Sequence, residues 1–150
     1  MNNEFSEREV RVRESFSRQG FMRHLGAQVT AFGPGGCEIQ VHYRAEMTQQ
    51  HGYFHAGVAA AIADSACGYA AYGLMEASSS VLTVEYKINL VAPAAGEKLI
   101  ARARVLRSGK TLKICAADVF AVKDKRETLC ATTLSTIMAM HDKADMPVKA

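Results

Sequence analysis

One stretch of this 150-residue chain limits its fold more than any other. From Phe54 to Met75 the sequence reads FHAGVAAAIADSACGYAAYGLM, in which nearly every residue is apolar or small. Alanine is the commonest residue of the stretch and β-branched residues are few, so the local preference is helical. Because a helix that is apolar on every side is normally buried on every side, we expect a central helix that begins near residues 55–57.

Asp64 is the one residue of this stretch that is ionised at neutral pH. Burying a carboxylate without a partner is costly or raises its pKa, and a carboxyl group with a raised pKa is a useful base or nucleophile. Two interpretations stay open: Asp64 is catalytic, or it is a structural residue bonded to backbone or to a serine or threonine. A membrane span is disfavoured, because the stretch is rich in alanine and glycine and holds an acid near its middle.

The remaining composition indicates a single domain over residues 1–150. A formal charge of +3 is too mildly basic for a nucleic-acid-binding surface but is compatible with a ligand that carries phosphates. The N-terminus lacks the apolar segment of a secretory signal. The cysteines form no C-x-x-C pair and are typical of buried, reduced thiols in a cytoplasmic protein; they are Cys37, Cys67, Cys115 and Cys130.

The periodicity of the other segments predicts an α+β fold. An N-terminal helix is expected within residues 1–22, ended by Gly20. A hairpin follows around the turn 33–36, and four further strand-like runs lie at about 81–91, 97–107, 111–122 and 127–139. Short separators, including residues 93–96, are typical of turns between antiparallel neighbours. We therefore expect a curved antiparallel sheet of six strands around the central helix, with a frayed tail over residues 141–150.

The start of the central helix is a candidate oxyanion site. Its first backbone N–H groups would be unpaired, with the positive end of the helix dipole behind them, and Gly57 would let a ligand approach the backbone. Asp64 lies seven residues further on, roughly 10 Å along the axis, so one carbonyl group cannot contact both. A sheet also covers only one side of a helix. We therefore expect at least a homodimer, with donor and carboxylate from different subunits.

Metal and other nucleophile chemistry fit this stretch less well. His51 and His55 are four residues apart, but Gly52 and Tyr53 lie between them where a zinc-protease helix would carry a glutamate, so no metal site is expected. Ser65 lacks a G-x-S-x-G setting. The apolar surroundings of Cys67 are expected to raise the pKa of its thiol.

The residues H-A-G-x5-A-D, from His55 to Asp64, resemble the signature of the hot-dog-fold acyl-CoA thioesterases, and Gln49 lies six residues before the histidine. The most similar branch is typified by the phenylacetic acid degradation thioesterase, PaaI. That branch has H-G-G followed by an apolar stretch, with the catalytic acid nine residues after the histidine. Segments that resemble the family's sequence also lie at residues 21–27, 82–86, 93–97 and 107–111, so the resemblance covers nearly the whole chain.

The resemblance implies a role for each matching residue. Asp64 matches the catalytic carboxylate, and Gln49 matches the residue that helps to hold water or the thioester carbonyl. Thr83 matches a serine or threonine that comes from the neighbouring subunit's sheet and lies beside the acid.

The donor turn departs from the family at one position. Gly57 matches the second glycine of H-G-G. Ala56 occupies the position of the first glycine, where the family prefers glycine. In some members the N–H at that first position polarises the thioester. Alanine removes no donor, so either N–H can serve. His55 would orient the helix start or the ligand carbonyl.

The implied activity is hydrolysis of a medium-chain, long-chain or aryl acyl-CoA to free acid and coenzyme A, without a cofactor. The resemblance also implies a dimer, often a tetramer, with coenzyme A along the subunit boundary. Arg107 and Lys110 are candidates to bind its phosphates. The candidates to line an acyl or aryl pocket, each of which could equally belong to the core, are Phe16, Phe21, Met22, Tyr53, Phe54 and Tyr72. A hot-dog dehydratase or hydratase and a non-catalytic acyl-CoA-binding regulator are the alternatives.

Overall fold

The computed structural model describes the backbone of residues 2–147 and the side chains of residues 7–147. Two N-terminal helices, α1 (Asn2–Ser17) and α2 (Gly20–Leu25), precede strands β1 (Gln28–Gly33) and β2 (Gly36–His42). A short 3₁₀ helix (Ala45–Met47) and the long helix α3 (Ala56–Tyr72) follow. The chain continues with the strands β3 (Ser80–Leu90), β4 (Lys98–Ser108), β5 (Leu112–Lys123) and β6 (Arg126–Met140).

The six strands form one antiparallel sheet in the order β1-β2-β4-β5-β6-β3. The predicted strands are confirmed, but the prediction that residues 93–96 join neighbouring strands is wrong. β3 lies at the far edge beside β6, so the segment between β3 and β4 crosses to the other half of the sheet. Ala94 of this segment accepts a hydrogen bond from the Phe54 N–H at 3.0 Å, which ties the crossover to the loop before α3. A short segment that contains proline and glycine is compatible with a hairpin turn between neighbouring strands and with a crossover between distant ones.

Helix α3 packs along the inner face of the curved sheet. Its fully buried residues include Ile62, Ala66 and Ala70, and they meet an apolar layer of the strands that includes Ile39 and Leu99. The many small side chains of α3 let the strands approach the helix closely. A six-stranded antiparallel sheet wrapped around one long helix is the hot-dog fold, as the sequence predicted.

The N-terminal region differs from the single helix expected. Backbone bonds from Arg18 to Ser15 and from Gln19 to Phe16 close α1, so Gly20 begins α2 rather than ending α1. Gly26 ends α2 with a φ of 67°, a left-handed conformation that glycine adopts without strain.

Helix α1 covers the second half of α3 on the side away from the sheet. Phe16 and Tyr69 pack edge to face, with ring centroids 5.7 Å apart. The Arg11 Nη2 donates to the backbone oxygens of Tyr72 and Met75 at 3.1 and 3.0 Å, at the C-terminal end of α3. A helix of the same chain therefore packs on this half of α3, and the expected homodimer stays a prediction. The uncovered part is the first half, where Ala60, Ala61 and Asp64 are only partly buried.

The structure also bears on the cysteines, the C-terminal tail and the question of a membrane-spanning helix. The four cysteines are buried, and none of them forms a disulfide within the described residues. The Arg18 guanidinium, just after α1, contacts the Asp145 carboxylate at 2.6 Å, so part of the predicted frayed tail is attached to the segment between α1 and α2, while residues 148–150 lie outside the described residues. No helix between residues 2 and 147 combines the length and hydropathy needed to cross a membrane.

Candidate active site

The N-terminus of α3 is capped by a histidine side chain. His55 is the N-cap residue, in an extended conformation (φ −63°, ψ 140°), and its Nδ1 accepts a hydrogen bond from the Gly57 N–H at 2.8 Å. A Cβ atom at residue 57 would lie 2.9 Å from that Nδ1. Glycine at this position therefore makes room for the histidine ring. The contact with the His55 ring, and not only the approach of a ligand, therefore explains why residue 57 is a glycine.

The cap distinguishes the two candidate oxyanion donors. The Gly57 N–H is occupied by His55, and the Val58 N–H donates to the His55 oxygen at 2.9 Å. The Ala56 N–H donates to no acceptor among the described residues, and Ala56 is exposed. The first N–H of the helix, at Ala56, is thus the one that can bind a ligand oxygen without breaking a hydrogen bond.

Asp64 lies in the middle of α3 and is bonded to the sheet. The Thr83 Oγ1 donates to Oδ1 of Asp64 at 2.8 Å. Thr83 pairs in register with Ile137, which is fully buried, so its side chain lies on the inner face of β3, toward the helix. The second carboxylate oxygen, Oδ2, accepts no hydrogen bond from residues 7–147 and is free to contact a water or a substrate.

The surroundings of Asp64 change its acidity. Burial raises the pKa of the Asp64 carboxyl above its ordinary value, and the hydrogen bond from Thr83 partly offsets that rise. A carboxyl group that is half-buried and still hydrogen-bonded as an acceptor has the properties of a general base or nucleophile. The same contact corrects the expectation for Thr83. Its hydroxyl reaches the acid of its own chain, because the edge strand β3 runs beside α3.

Gln49 lies in a tight loop before α3. Its N–H donates to the Tyr53 oxygen at 2.9 Å, and its own carbonyl accepts from the Gly52 N–H at 3.0 Å. The side-chain Oε1 accepts from the His51 N–H. The side-chain nitrogen, Nε2, has no partner among the described residues, so it is a second donor that could bind a ligand or water near this loop.

The other predicted site residues are dispersed within one chain. Arg107 and Lys110 are exposed at the turn between β4 and β5, and β4 is separated from β3 by two strands. Neither side chain forms a hydrogen bond or ion pair with another described residue. Tyr53 and Phe21 are 41% and 58% exposed. Three other pocket candidates, Met22, Phe54 and Tyr72, belong to the core, and Phe16 packs on it, so these six residues do not form one pocket.

The alternative nucleophiles and the metal site receive no support from the geometry. Burial raises the pKa of Cys67 to about 12, so its thiol is protonated at neutral pH. The Ser65 hydroxyl donates to Gln19 at 3.3 Å and has no histidine partner. Within the described chain, no three histidine, cysteine or acidic side chains lie close enough to share a metal ion.

One buried polar residue was missed by sequence reasoning. Lys113 is only 3% exposed, although its charge suggested a solvent-facing side chain. The alternation along β5 could have predicted this inward direction. Side chains alternate between the two faces of a strand, so the face that carries Cys115, Ala117 and Val119 also carries residue 113.

Comparison with known proteins identifies the family of the chain. The sequence pattern of the thioesterase superfamily matches residues 51–128, which include His55 and Asp64. A crystal structure of a thioesterase family protein from Silicibacter pomeroyi is 44% identical, with a TM-score of 0.88, over 89% of this chain and 98% of that protein.

Two more distant solved structures share the fold. A thioesterase from Haemophilus influenzae is 22% identical, with a TM-score of 0.76, over 85% of this chain and 87% of that one. The PaaI protein from the phenylacetic acid degradation operon of E. coli is 19% identical, with a TM-score of 0.79, over 91% of this chain and 96% of that one. At these identities the likeness supports the fold alone. The family match and the Silicibacter protein together show that the chain belongs to the thioesterase superfamily.

Proposed function

We propose that this protein is an acyl-CoA thioesterase that hydrolyses acyl-CoA to a free acid and coenzyme A. The observation that carries the proposal is the half-buried carboxyl group of Asp64, with one oxygen bonded to Thr83 and the other unoccupied. It lies in a helix whose first N–H, at Ala56, also has no acceptor in the part of the chain that the structure describes. Membership of the thioesterase superfamily supplies the reaction class.

Asp64 has two chemically balanced ways to cleave the thioester. As a general base, it takes a proton from water while the water oxygen bonds to the carbonyl carbon; the carbon–sulfur bond then breaks, and the thiolate of coenzyme A takes up a proton. As a nucleophile, its carboxylate oxygen attacks the carbonyl carbon and expels the thiolate, and water then hydrolyses the resulting anhydride. In both routes Thr83 orients the carboxylate.

The Ala56 N–H is the proposed donor to the thioester oxygen as negative charge develops there. Preorganised N–H groups at such a position are among the largest contributions to catalysis of acyl transfer. The Gln49 Nε2 would hold the water or the carbonyl beside it. Ala56 precedes Asp64 by eight residues of continuous helix, or about 12 Å along the axis, so the two groups of one chain cannot serve one carbonyl.

A homodimer would resolve this separation, with Ala56 of one copy opposite Asp64 of the other. Support comes from β3, which is an edge strand and exposes several apolar side chains: Leu82 at 50%, Val84 at 55% and Tyr86 at 47%. Such an edge is a template for pairing with another strand. Because β3 also carries Thr83, pairing along β3 would bring the acid of each copy close to the subunit boundary. A tetramer of such dimers rests on the resemblance alone.

The substrate class also belongs to the proposal. The seven methionines and the lack of tryptophan favour a pliable pocket for a medium-chain or long-chain acyl group, with an aryl group as the alternative. Arg107 and Lys110 remain the proposed contacts of the coenzyme A phosphates. Assay of thiol release from a panel of acyl-CoA esters tests the activity. A dehydratase or hydratase would change the acyl chain without releasing thiol, and a regulator would bind acyl-CoA without turnover.

Labelled water separates the two routes to hydrolysis. In a single turnover, label in the Asp64 carboxylate identifies the nucleophilic route, with water attacking the aspartyl carbon of the anhydride, whereas the general-base route places the label only in the product acid. Mass spectrometry of the peptide that contains Asp64 reads the outcome directly.

A further inference from the structure

Lys113 is a charged residue in an apolar row of the sheet. It faces inward on β5, in line with the fully buried Cys115, Ala117 and Val119, while its neighbour Leu112 is 48% exposed on the outer side. Its partner in register on β6 is Ile137, which is also fully buried. An inward lysine at such a position requires a compensating interaction.

The contacts of Lys113 do not balance its charge. Its Nζ donates to the Gly109 carbonyl oxygen at 3.1 Å, and it forms no ion pair with a carboxylate of residues 7–147. Burial lowers the pKa of the Lys113 ammonium, in the direction expected for an inward cation without an ion pair. A lysine has three N–H donors, and two of them remain without a described acceptor.

Lys113 lines a cavity of about 170 Å³ beyond the C-terminal end of α3. Other groups that can carry positive charge or donate hydrogen bonds share the lining: Lys110, His141, Ser79 and Ser108. Ser79 is 1% exposed and its hydroxyl has no hydrogen-bond partner within the described chain. The one acidic residue of the lining, Glu76, is exposed. The volume is several times that of a water molecule, about 30 Å³.

We propose that this cavity binds a phosphoryl-type oxyanion, with the Lys113 ammonium as its principal charge partner and the Ser79 hydroxyl as a hydrogen-bond donor. Lys113 and Ser79, which are both nearly buried and have unused N–H or O–H donors, line this cavity. The lining also has more groups that can be cationic, including Lys110 and His141, than acidic groups. The site uses neither Asp64 nor Ala56, but Lys110 of its lining is also a proposed contact of coenzyme A, so the coenzyme A outcome rests on the proposed function. Free phosphate and a phosphate group of coenzyme A have the same chemistry and are the two sources to be distinguished.

The first experiment measures binding of inorganic phosphate by calorimetry and by thermal unfolding, with sodium chloride at matched ionic strength as the reference. The wild-type protein is expected to bind phosphate and to unfold at a higher temperature in its presence. Lys113→Met is expected to weaken phosphate binding about tenfold or more, because a charge-assisted hydrogen bond is lost. The control, Lys123→Met, removes an exposed lysine from the other end of the same strand and should bind like wild type.

Ser79→Ala provides an independent variant that is expected to fold, because it removes only a hydroxyl group, and it should also weaken binding. Competition with free coenzyme A then identifies the source. If coenzyme A displaces phosphate and Lys113→Met weakens both, the site holds a phosphate of the coenzyme. If both bind together, the site takes free phosphate. If wild type shows no binding of either anion that depends on Lys113 or Ser79, the site does not exist, whether or not the protein hydrolyses acyl-CoA.

Discussion

The hydroxyl of Thr83 donates a 2.8 Å hydrogen bond to Oδ1 of Asp64, and the two residues come from different elements of one chain. Thr83 lies on the edge strand β3, while Asp64 lies in the middle of α3. The bond fixes one carboxylate oxygen and leaves the other accessible. The protonation of the acid is therefore set by two opposed effects, burial and this one donor.

Replacing Thr83 by valine should move the pH dependence of hydrolysis. The hydrogen bond stabilises the ionised carboxylate, so its loss raises the pKa of Asp64 further above the ordinary value. Activity that needs ionised Asp64 would then begin at a higher pH, and the acidic limb of the kcat/KM profile would shift upward. Thr83→Ser keeps the donor and should keep the wild-type profile. A valine variant with an unshifted acidic limb would show that Thr83 does not control the acid.

Removing the Ala56 N–H tests the proposed oxyanion donor. Ala56→Pro deletes this N–H at the first position of the helix, where proline is well tolerated. His55 is already in the extended conformation that a residue before proline requires. We expect the helix to form normally and kcat to fall about a hundredfold or more.

Ala56→Gly is the matched control, because it changes the side chain and keeps the N–H, and it should retain activity. Circular dichroism would establish that both variants fold. Full activity in a folded Ala56→Pro protein would exclude this N–H as the donor.

The cap at His55 should contribute measurably to stability. His55→Ala leaves the Gly57 N–H without its acceptor, so the free energy of unfolding should fall by about 1 kcal/mol. His55→Asn supplies another side chain suited to an N-cap and should recover most of that loss. Urea unfolding of the three proteins measures the effect. Equal stabilities for His55→Ala and wild type would mean that the contact is not a significant cap.

Assembly through β3 can be tested at its exposed edge. Val84→Lys places a charge on this strand, and edge lysines oppose strand pairing. We expect sedimentation to show a shift from dimer to monomer, together with loss of activity, because the donor and the acid would no longer meet. Leu129→Lys makes the same change at an exposed position of β6 beyond its pairing with β3, and should leave assembly and activity intact.

The sequence was sufficient to predict the central helix from its alanine-rich apolar run, and the six strands from their strand-like runs and the turns between them. It could not place β3, since residues 93–96 suit a hairpin or a crossover equally well. The break between α1 and α2 could not be predicted from the sequence either. Gly20 is a common helix terminator, and the bonds that end α1 earlier depend on how the chain packs.

The site was predicted in part. The apolar run identified Asp64, and its raised pKa follows from the burial that the run implies. The use of the Gly57 N–H by His55 depends on one side-chain conformation, which periodicity does not reveal. Lys113 was recognised as basic, but its inward direction depends on the register of β5 with its neighbours.

Asp64→Asn is the most direct test of the proposed hydrolysis. The change removes the proton acceptor and nucleophile with almost no change in volume. Because burial raises the pKa of Asp64, the ionised side chain costs stability as pH rises through that pKa, so the variant should be at least as stable as wild type at neutral pH. Asp124→Asn, at an exposed turn residue with a φ of 48°, is the control, since asparagine tolerates that conformation.

The decisive measurement is kcat for release of coenzyme A thiol by the folded Asp64→Asn protein. The proposed mechanism predicts a fall of about two to four orders of magnitude, with the Asp124→Asn control unchanged. An Asp64→Asn protein that hydrolyses acyl-CoA at the wild-type rate would contradict the account.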